Sequence, residues 1–249
     1  MKLYSNYSNA SISMSSDEDF KTALLNLFDK YAISNIVETG TYLGRGSTTL
    51  LAECILLKKL KINNFYTIEI DINNFIKSRS YLKKYDFVTP IWGLSVPAEK
   101  AILFVEQDEA IKNHHLFPEV YIDNVENPLD FYLQEINGSL FRTKNRSLKQ
   151  ILSQFFEKKA SFQDGVLSNI VPEIIKTKPL FLLDSAGGLG YFEFKTVLDL
   201  MCGEEFFLIL DDIHHLKHFR SFKEVKENDS FKLLEYNLNQ GWAIAHFLK

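Results

Sequence analysis

The chain opens on a Ser/Asn-rich stretch with no apolar rhythm, residues 1 to about 16, which reads as a flexible arm. Regular patterning begins at Asp17, where Phe20, Leu24, Leu27, Phe28 and Tyr31 recur at helical spacing. That spacing predicts a helix over Asp17–Tyr31, capped by Ser15 or Ser16. The texture then changes. Asn35-Ile-Val reads as a short buried strand, Ser47–Leu57 as a helix, and Phe65–Ile70 as a second strand. A helix over Asn74–Lys84 and a third strand near Phe87–Ile91 follow.

The same alternation resumes at Pro179–Asp184, an apolar run ending in an acid, then a helix over Tyr191–Met201 and a second such run over Glu205–Asp212. Phe231–Tyr236 and Trp242–Leu248 read as two closing strands around a turn at Asn237–Gly241. Strands alternating with helices predict a mostly parallel α/β sheet covered on both faces, seven-stranded by this reading. The interval from Ser95 to Asp184 far exceeds the dozen or so residues of a helical crossover. It therefore holds an insertion between strands 3 and 4, roughly residues 105–170, with a candidate helix over Ser147–Lys159. Residues 1–249 read as one domain, with the insertion as its lid or substrate segment.

Composition narrows the class. With 46% hydrophobic and 24% charged residues the chain can build a full core, so global disorder is excluded. A net charge of −4 argues against a general nucleic-acid surface. Cys54 and Cys202 have neither disulfide-framework nor metal-site spacing and read as buried free thiols. No stretch reaches the roughly 18 apolar residues of a membrane helix, and the start lacks a signal-peptide pattern. The expected setting is the cytoplasm, with a small-molecule substrate, no nucleic acid, no membrane and room for a homo-oligomer.

The chemistry gathers at strand ends. Between the first strand and its helix lies Glu38-Thr-Gly-Thr-Tyr-Leu-Gly-Arg-Gly-Ser47. Glycines there permit tight turning and close backbone approach, and the helix N-terminus offers free N–H groups. This is not the G-x-G-x-x-G of dinucleotide binders. Glu69 ends the second strand, where a carboxylate can accept from two ribose hydroxyls. Gly93-Leu-Ser95 follows the third.

Taken together, Glu38–Thr49, Thr67-Ile-Glu-Ile70 and Gly93-Leu-Ser95 resemble class I S-adenosylmethionine-dependent methyltransferases, in particular the catechol-type O-methyltransferases. The resemblance covers about residues 34–96 and 178–249 and implies a Rossmann-like methyltransferase fold. It implies that the loop, with Glu38, Gly40, Thr41, Gly44 and Ser47, carries the methionine part of S-adenosylmethionine. Glu69 would hold ribose, Ser95 would lie at adenine, and Asp184 would also contact the cofactor.

Asp184, Asp211 and Asp212 end the next two strands and share one crevice, where they repel one another unless a cation or proton sits between them; a hard divalent ion is the natural solution. Their spacing resembles the metal-dependent branch of that family and implies Mg²⁺ held by all three, assisting methylation of a sugar or natural-product hydroxyl. The sequence departs from the catechol pattern at Gly187, where the base Lys is expected. Asp212-Ile-His214 resembles the Asp-x-His of macrolide and sugar O-methyltransferases and of cephalosporin-hydroxylase relatives, so His214 is the expected proton acceptor, and with the metal-holding Asp184 it makes up the expected catalytic set. His215 and His218 are further candidates, and Lys217 and Arg220 are candidate anion binders. Two other functions compete: a cephalosporin-hydroxylase-like reaction on the same scaffold, and a non-catalytic cofactor-fold binding module.

Overall fold

A computed structural model describes residues 16–144, 160–185 and 187–249. Among the described residues, eight strands form one sheet: β1 (Asn35–Thr39), β2 (Asn64–Glu69), β3 (Val88–Leu94), β4 (Gln163–Asp164), β5 (Leu180–Leu183), β6 (Phe206–Leu210), β7 (Phe231–Asn237) and β8 (Trp242–Phe247). Their order is β4-β3-β2-β1-β5-β6-β8-β7. Seven of them share one direction, and β8 enters antiparallel between β6 and β7. Strand order reverses direction between β1 and β5, which is the Rossmann-like arrangement whose switch point opens a crevice at the strand carboxyl ends.

The expected seven strands become eight because β4 lies inside the anticipated insertion. Two polar residues carry no alternation to read, and β4 is defined only by its pairing of Gln163 with Gly93 and Asp164 with Leu94.

Alternation along the central strands divides the core into two layers. In β5, Leu180 and Leu182 face one layer while Phe181 and Leu183 face the other. Ile36 and Val37 of β1, and Phe207 and Leu208 of β6, divide the same way. Helices α1 (Glu18–Lys30) and α2 (Ser47–Lys58) close the first layer, joined by Leu82 of α3 (Ile72–Leu82). The second is closed by α4 (Ala98–Gln107), α6 (Pro128–Lys144), α7 (Val166–Ile174), α8 (Gly190–Met201) and α9 (Phe219–Glu227). A short α5 (Glu109–Lys112) links α4 onward.

Several boundaries move for local reasons. Asp17, not Ser15 or Ser16, caps α1: its carboxylate accepts from the N–H groups of Asp19 and Phe20, and also from the Trp242 indole at 2.8 Å. Asp71 caps α3 two residues earlier than the apolar pattern implies. The excursion out of the layers is shorter than 105–170, because α4 and α7 both cover the sheet. Within it, Ile111, Ile122, Tyr132 and Ile136 are buried in the same layer as β5 and β6. The candidate helix over Ser147–Lys159 and the arm up to residue 15 lie outside the described residues. Cys54 is buried, but Cys202 is exposed, because it ends α8 in a left-handed turn (φ 49°).

Candidate functional site

The β1–α2 loop is built on hydrogen bonds to its neighbours. The N–H groups of Gly40 and Thr41 both donate to the Ile68 carbonyl, at 3.0 and 3.1 Å. Gly40 has φ 85°, and a Cβ there would lie 2.1 Å from the Asp184 carbonyl oxygen. Only glycine permits that approach between the β1 loop and the end of β5. Beneath the loop, Glu38 is fully enclosed and accepts hydroxyls from Ser47, Thr48 and Thr67, each at 2.6 Å. Burial pushes the Glu38 carboxyl up to about 7, against the pull of those hydroxyls. Glu38, Thr41, Gly44 and Ser47 thus shape the loop from inside: Thr41 shares a hydroxyl contact with Thr67, and Gly44 lies against Leu82. Gly40 and Tyr42 are the loop residues that line the adjoining cleft.

That cleft, about 510 Å³, opens at the carboxyl ends of β1, β2, β3 and β5, a size suited to a nucleoside-like ligand. Glu69 reaches it from β2. One Glu69 oxygen accepts from the Tyr42 N–H and the other from the Asp71 N–H, both at 2.7 Å. A carboxylate has about four lone-pair directions, so two remain for a ligand. Burial raises the Glu69 carboxyl to about 7, partly offset by those N–H groups. Ser95 and Ser185 also line the cleft, and both hydroxyls donate to Glu193 on α8. Thr39 donates to the second Glu193 oxygen at 3.0 Å. Burial raises the Glu193 carboxyl, and these three hydroxyls counter the shift. The opposite wall comes from α6, with Glu135, Ile136, Ser139 and Arg142; Arg142 donates to Asp71 at 2.9 Å.

The acids also come together. Asp184, Asp211 and Asp212 each bring one oxygen within 4.8 Å of the others. Lys217 lies among them, its Nζ 2.9 Å from Asp184 Oδ1 and 2.8 Å from Asp212 Oδ2. Burial works against the Lys217 charge, yet Asp184, Asp212 and Asp211 hold its ammonium well above the ordinary lysine value. Burial and the neighbouring Asp184 and Asp212 carboxylates push Asp211 upward. Asp184 and Lys217 line the cleft.

The histidines fall elsewhere. His214 does not line the cleft; its Nε2 donates to the Leu238 carbonyl at 2.7 Å, on the β7–β8 turn. The cause is local: Asp212 takes a left-handed backbone (φ 53°), and the Ile213 N–H bonds the Gly241 carbonyl, which carries the chain toward that turn. His215 is buried, its Nε2 facing Asp123 at 2.9 Å while its Nδ1 accepts from the Lys217 N–H. His218 is fully buried beside Lys217; desolvation and that ammonium hold it well below the ordinary histidine value. Arg220 pairs with Asp108 through two nitrogens rather than facing the cleft. His115 is exposed.

Glu193, Lys217 and the α6 wall are what sequence reasoning missed or misassigned. Glu193 did leave a trace, since it shares the buried face of α8 with Val197 and Met201. An acid on an apolar helical face is a signal of a buried acceptor.

No family model matches the chain, and no curated protein matches it. Among solved structures, similarity extends to an O-methyltransferase from Bacillus cereus in complex with SAH, at 16% identity and a TM-score of 0.48, covering 97% of this chain and 86% of that one. The O-methyltransferase NovP is similar at 11% identity and a TM-score of 0.42, covering 93% and 79%. An rRNA methylase from Streptococcus thermophilus follows at 10% identity and a TM-score of 0.38, covering 92% and 94%.

Proposed function

We propose that this chain is an S-adenosylmethionine-dependent methyltransferase acting on a hydroxyl of a small polar molecule. One observation carries the reading: a glycine-pinned turn, the Glu69 carboxylate and the Ser95 hydroxyl surround a single cleft at the sheet's switch point. Such a cleft takes nucleoside ligands by close backbone approach on one side and a ribose-binding carboxylate on the other. S-adenosylmethionine would supply a sulfonium methyl for in-line transfer to the acceptor oxygen.

The chain's own residues contribute position and charge. Gly40 brings the loop backbone to the cleft wall, Glu69 offers two lone-pair directions to ribose, and Ser95 is held at the floor by Glu193. Asp184, which lines the cleft, would take the acceptor's proton. His214 points away from the cleft, bonding the Leu238 carbonyl on the β7–β8 turn. Magnesium assistance fits these residues poorly. A divalent ion among Asp184, Asp211 and Asp212 would have to share their oxygens with the Lys217 ammonium.

Calorimetry with S-adenosylmethionine and S-adenosylhomocysteine tests the reading. Both should bind one per chain, and Glu69→Ala should weaken them about tenfold or more, the scale of a lost charge-assisted hydrogen bond. Asp212→Ala, away from the ribose position, should leave that affinity within about twofold. Failure of the wild-type chain to bind either compound overturns the proposal.

A further inference from the structure

From this geometry we infer that Lys217 is the permanent cation of the Asp184–Asp211–Asp212 cluster, standing where a divalent metal would otherwise stand, so that the cleft takes its ligands without one. Three acids at adjoining strand ends repel one another, and a cation among them relieves that repulsion. Lys217 supplies it directly, with Nζ at 2.9 Å from Asp184 and 2.8 Å from Asp212. Those are two of the three carboxylates that a metal would need.

The ammonium is fixed rather than passing through. Its side chain is only 7% exposed, so swinging out to water would mean unpacking the loop. The backbone behind it is wedged against the first residue of α8: a Cβ on Gly190 would lie 2.7 Å from the Lys217 carbonyl oxygen and 2.8 Å from Lys217 Cβ. Neighbouring backbone is tied as well, with the Leu216 N–H on the Tyr121 carbonyl and the Lys217 N–H on His215 Nδ1. A hard divalent ion binds carboxylate oxygens at about 2.0–2.6 Å, which would bring it against a like charge that has nowhere to go.

This inference stands apart from the methyltransferase reading, because metal binding is measured without S-adenosylmethionine or an acceptor. The test uses the full chain stripped with chelator and titrated with Mn²⁺, bound ion being read by electron paramagnetic resonance. Wild type and Lys217→Arg should show no site in the acid cluster. Lys217→Ala, which frees the three carboxylates, should gain one Mn²⁺ site at least about tenfold tighter than anything in wild type. Adding Asp212→Asn to Lys217→Ala should remove that gain. A Mn²⁺ site in wild type that Asp211→Asn or Asp212→Asn abolishes would overturn the inference, and that measurement needs no Lys217 variant to fold. Equal affinity in wild type and a folded Lys217→Ala would overturn it too.

Discussion

Replacing Gly40 with Ala separates two costs that the loop avoids. The first is dihedral: a non-glycine residue at φ 85° is held in the left-handed region, at about 1–2 kcal/mol. The second is steric, because the new Cβ would start 2.1 Å from the Asp184 carbonyl oxygen, and that neighbour is backbone. Forcing β1 and β5 apart adds about 1–3 kcal/mol, the usual scale of overpacking. Gly203 provides the control. It also has positive φ, 77°, yet nothing lies within 4 Å of its Cβ position, so Gly203→Ala isolates the dihedral cost. Urea unfolding should show Gly40→Ala losing about 2–5 kcal/mol and Gly203→Ala about 1–2 kcal/mol. In thermal melts the Gly40 variant should fall by about 10 °C, at roughly 2–4 °C per kcal/mol for a chain this size. Equal losses in the two variants would show that the β1–β5 approach does not constrain the loop.

Three further outcomes follow from buried polar groups. Burial raises Glu38 and Glu69 from 4.5 to about 7, so the folded chain holds their protons more tightly than the unfolded chain. Their contribution, on the order of 3 kcal/mol each, is complete below about pH 4.5 and lost as pH rises through about 7. Urea midpoints should therefore fall as pH rises from about 4.5 to about 7, and Glu38→Gln should flatten that slope; an unchanged slope refutes the assignment. Asp17→Ala removes both the α1 cap and the acceptor of a buried indole N–H, and should cost about 2–4 kcal/mol, whereas Asp17→Asn keeps the cap acceptor but turns its NH2 toward the indole N–H and should cost about 1–3 kcal/mol. Glu193→Ala leaves three hydroxyls without their acceptor. It should lower stability by on the order of 3 kcal/mol and shift Ser95, which weakened S-adenosylhomocysteine binding would report.

Local periodicity made the alternating halves legible, because β5 and β6 are buried on both faces and so appear as unbroken apolar runs. The crevice acids were legible for the same reason: each directly follows such a run. What the residues do within the site was less legible. Glu38 is part of the loop motif, but its direction, inward to Ser47, Thr48 and Thr67, depends on β2 lying alongside. Lys217 stood as a candidate anion binder, yet the anions it binds are the chain's own: Asp212 nearby and Asp184, 33 positions away. Glu193 gathers hydroxyls from 98 and 154 positions distant. No local pattern encodes contacts of that range. His214 misled for the opposite reason: its sequence neighbours are acids, yet one left-handed residue at Asp212 sends it to another face.

The two borders of the sheet bear on how the chain behaves in a crowd. Among the described residues, β4 covers only Gly93 and Leu94 of β3, so Val88–Trp92 forms an open border. Pro90 stands at its centre with no N–H to give a newcomer strand. At the far border, β7 carries Lys232 and Glu235 and slips register between Leu233 and Glu235, which bends the ribbon away from a flat template. Each border thus interrupts the ladder that a foreign strand would need. A sheet whose interior strands are this apolar is thereby guarded against growing into its neighbours.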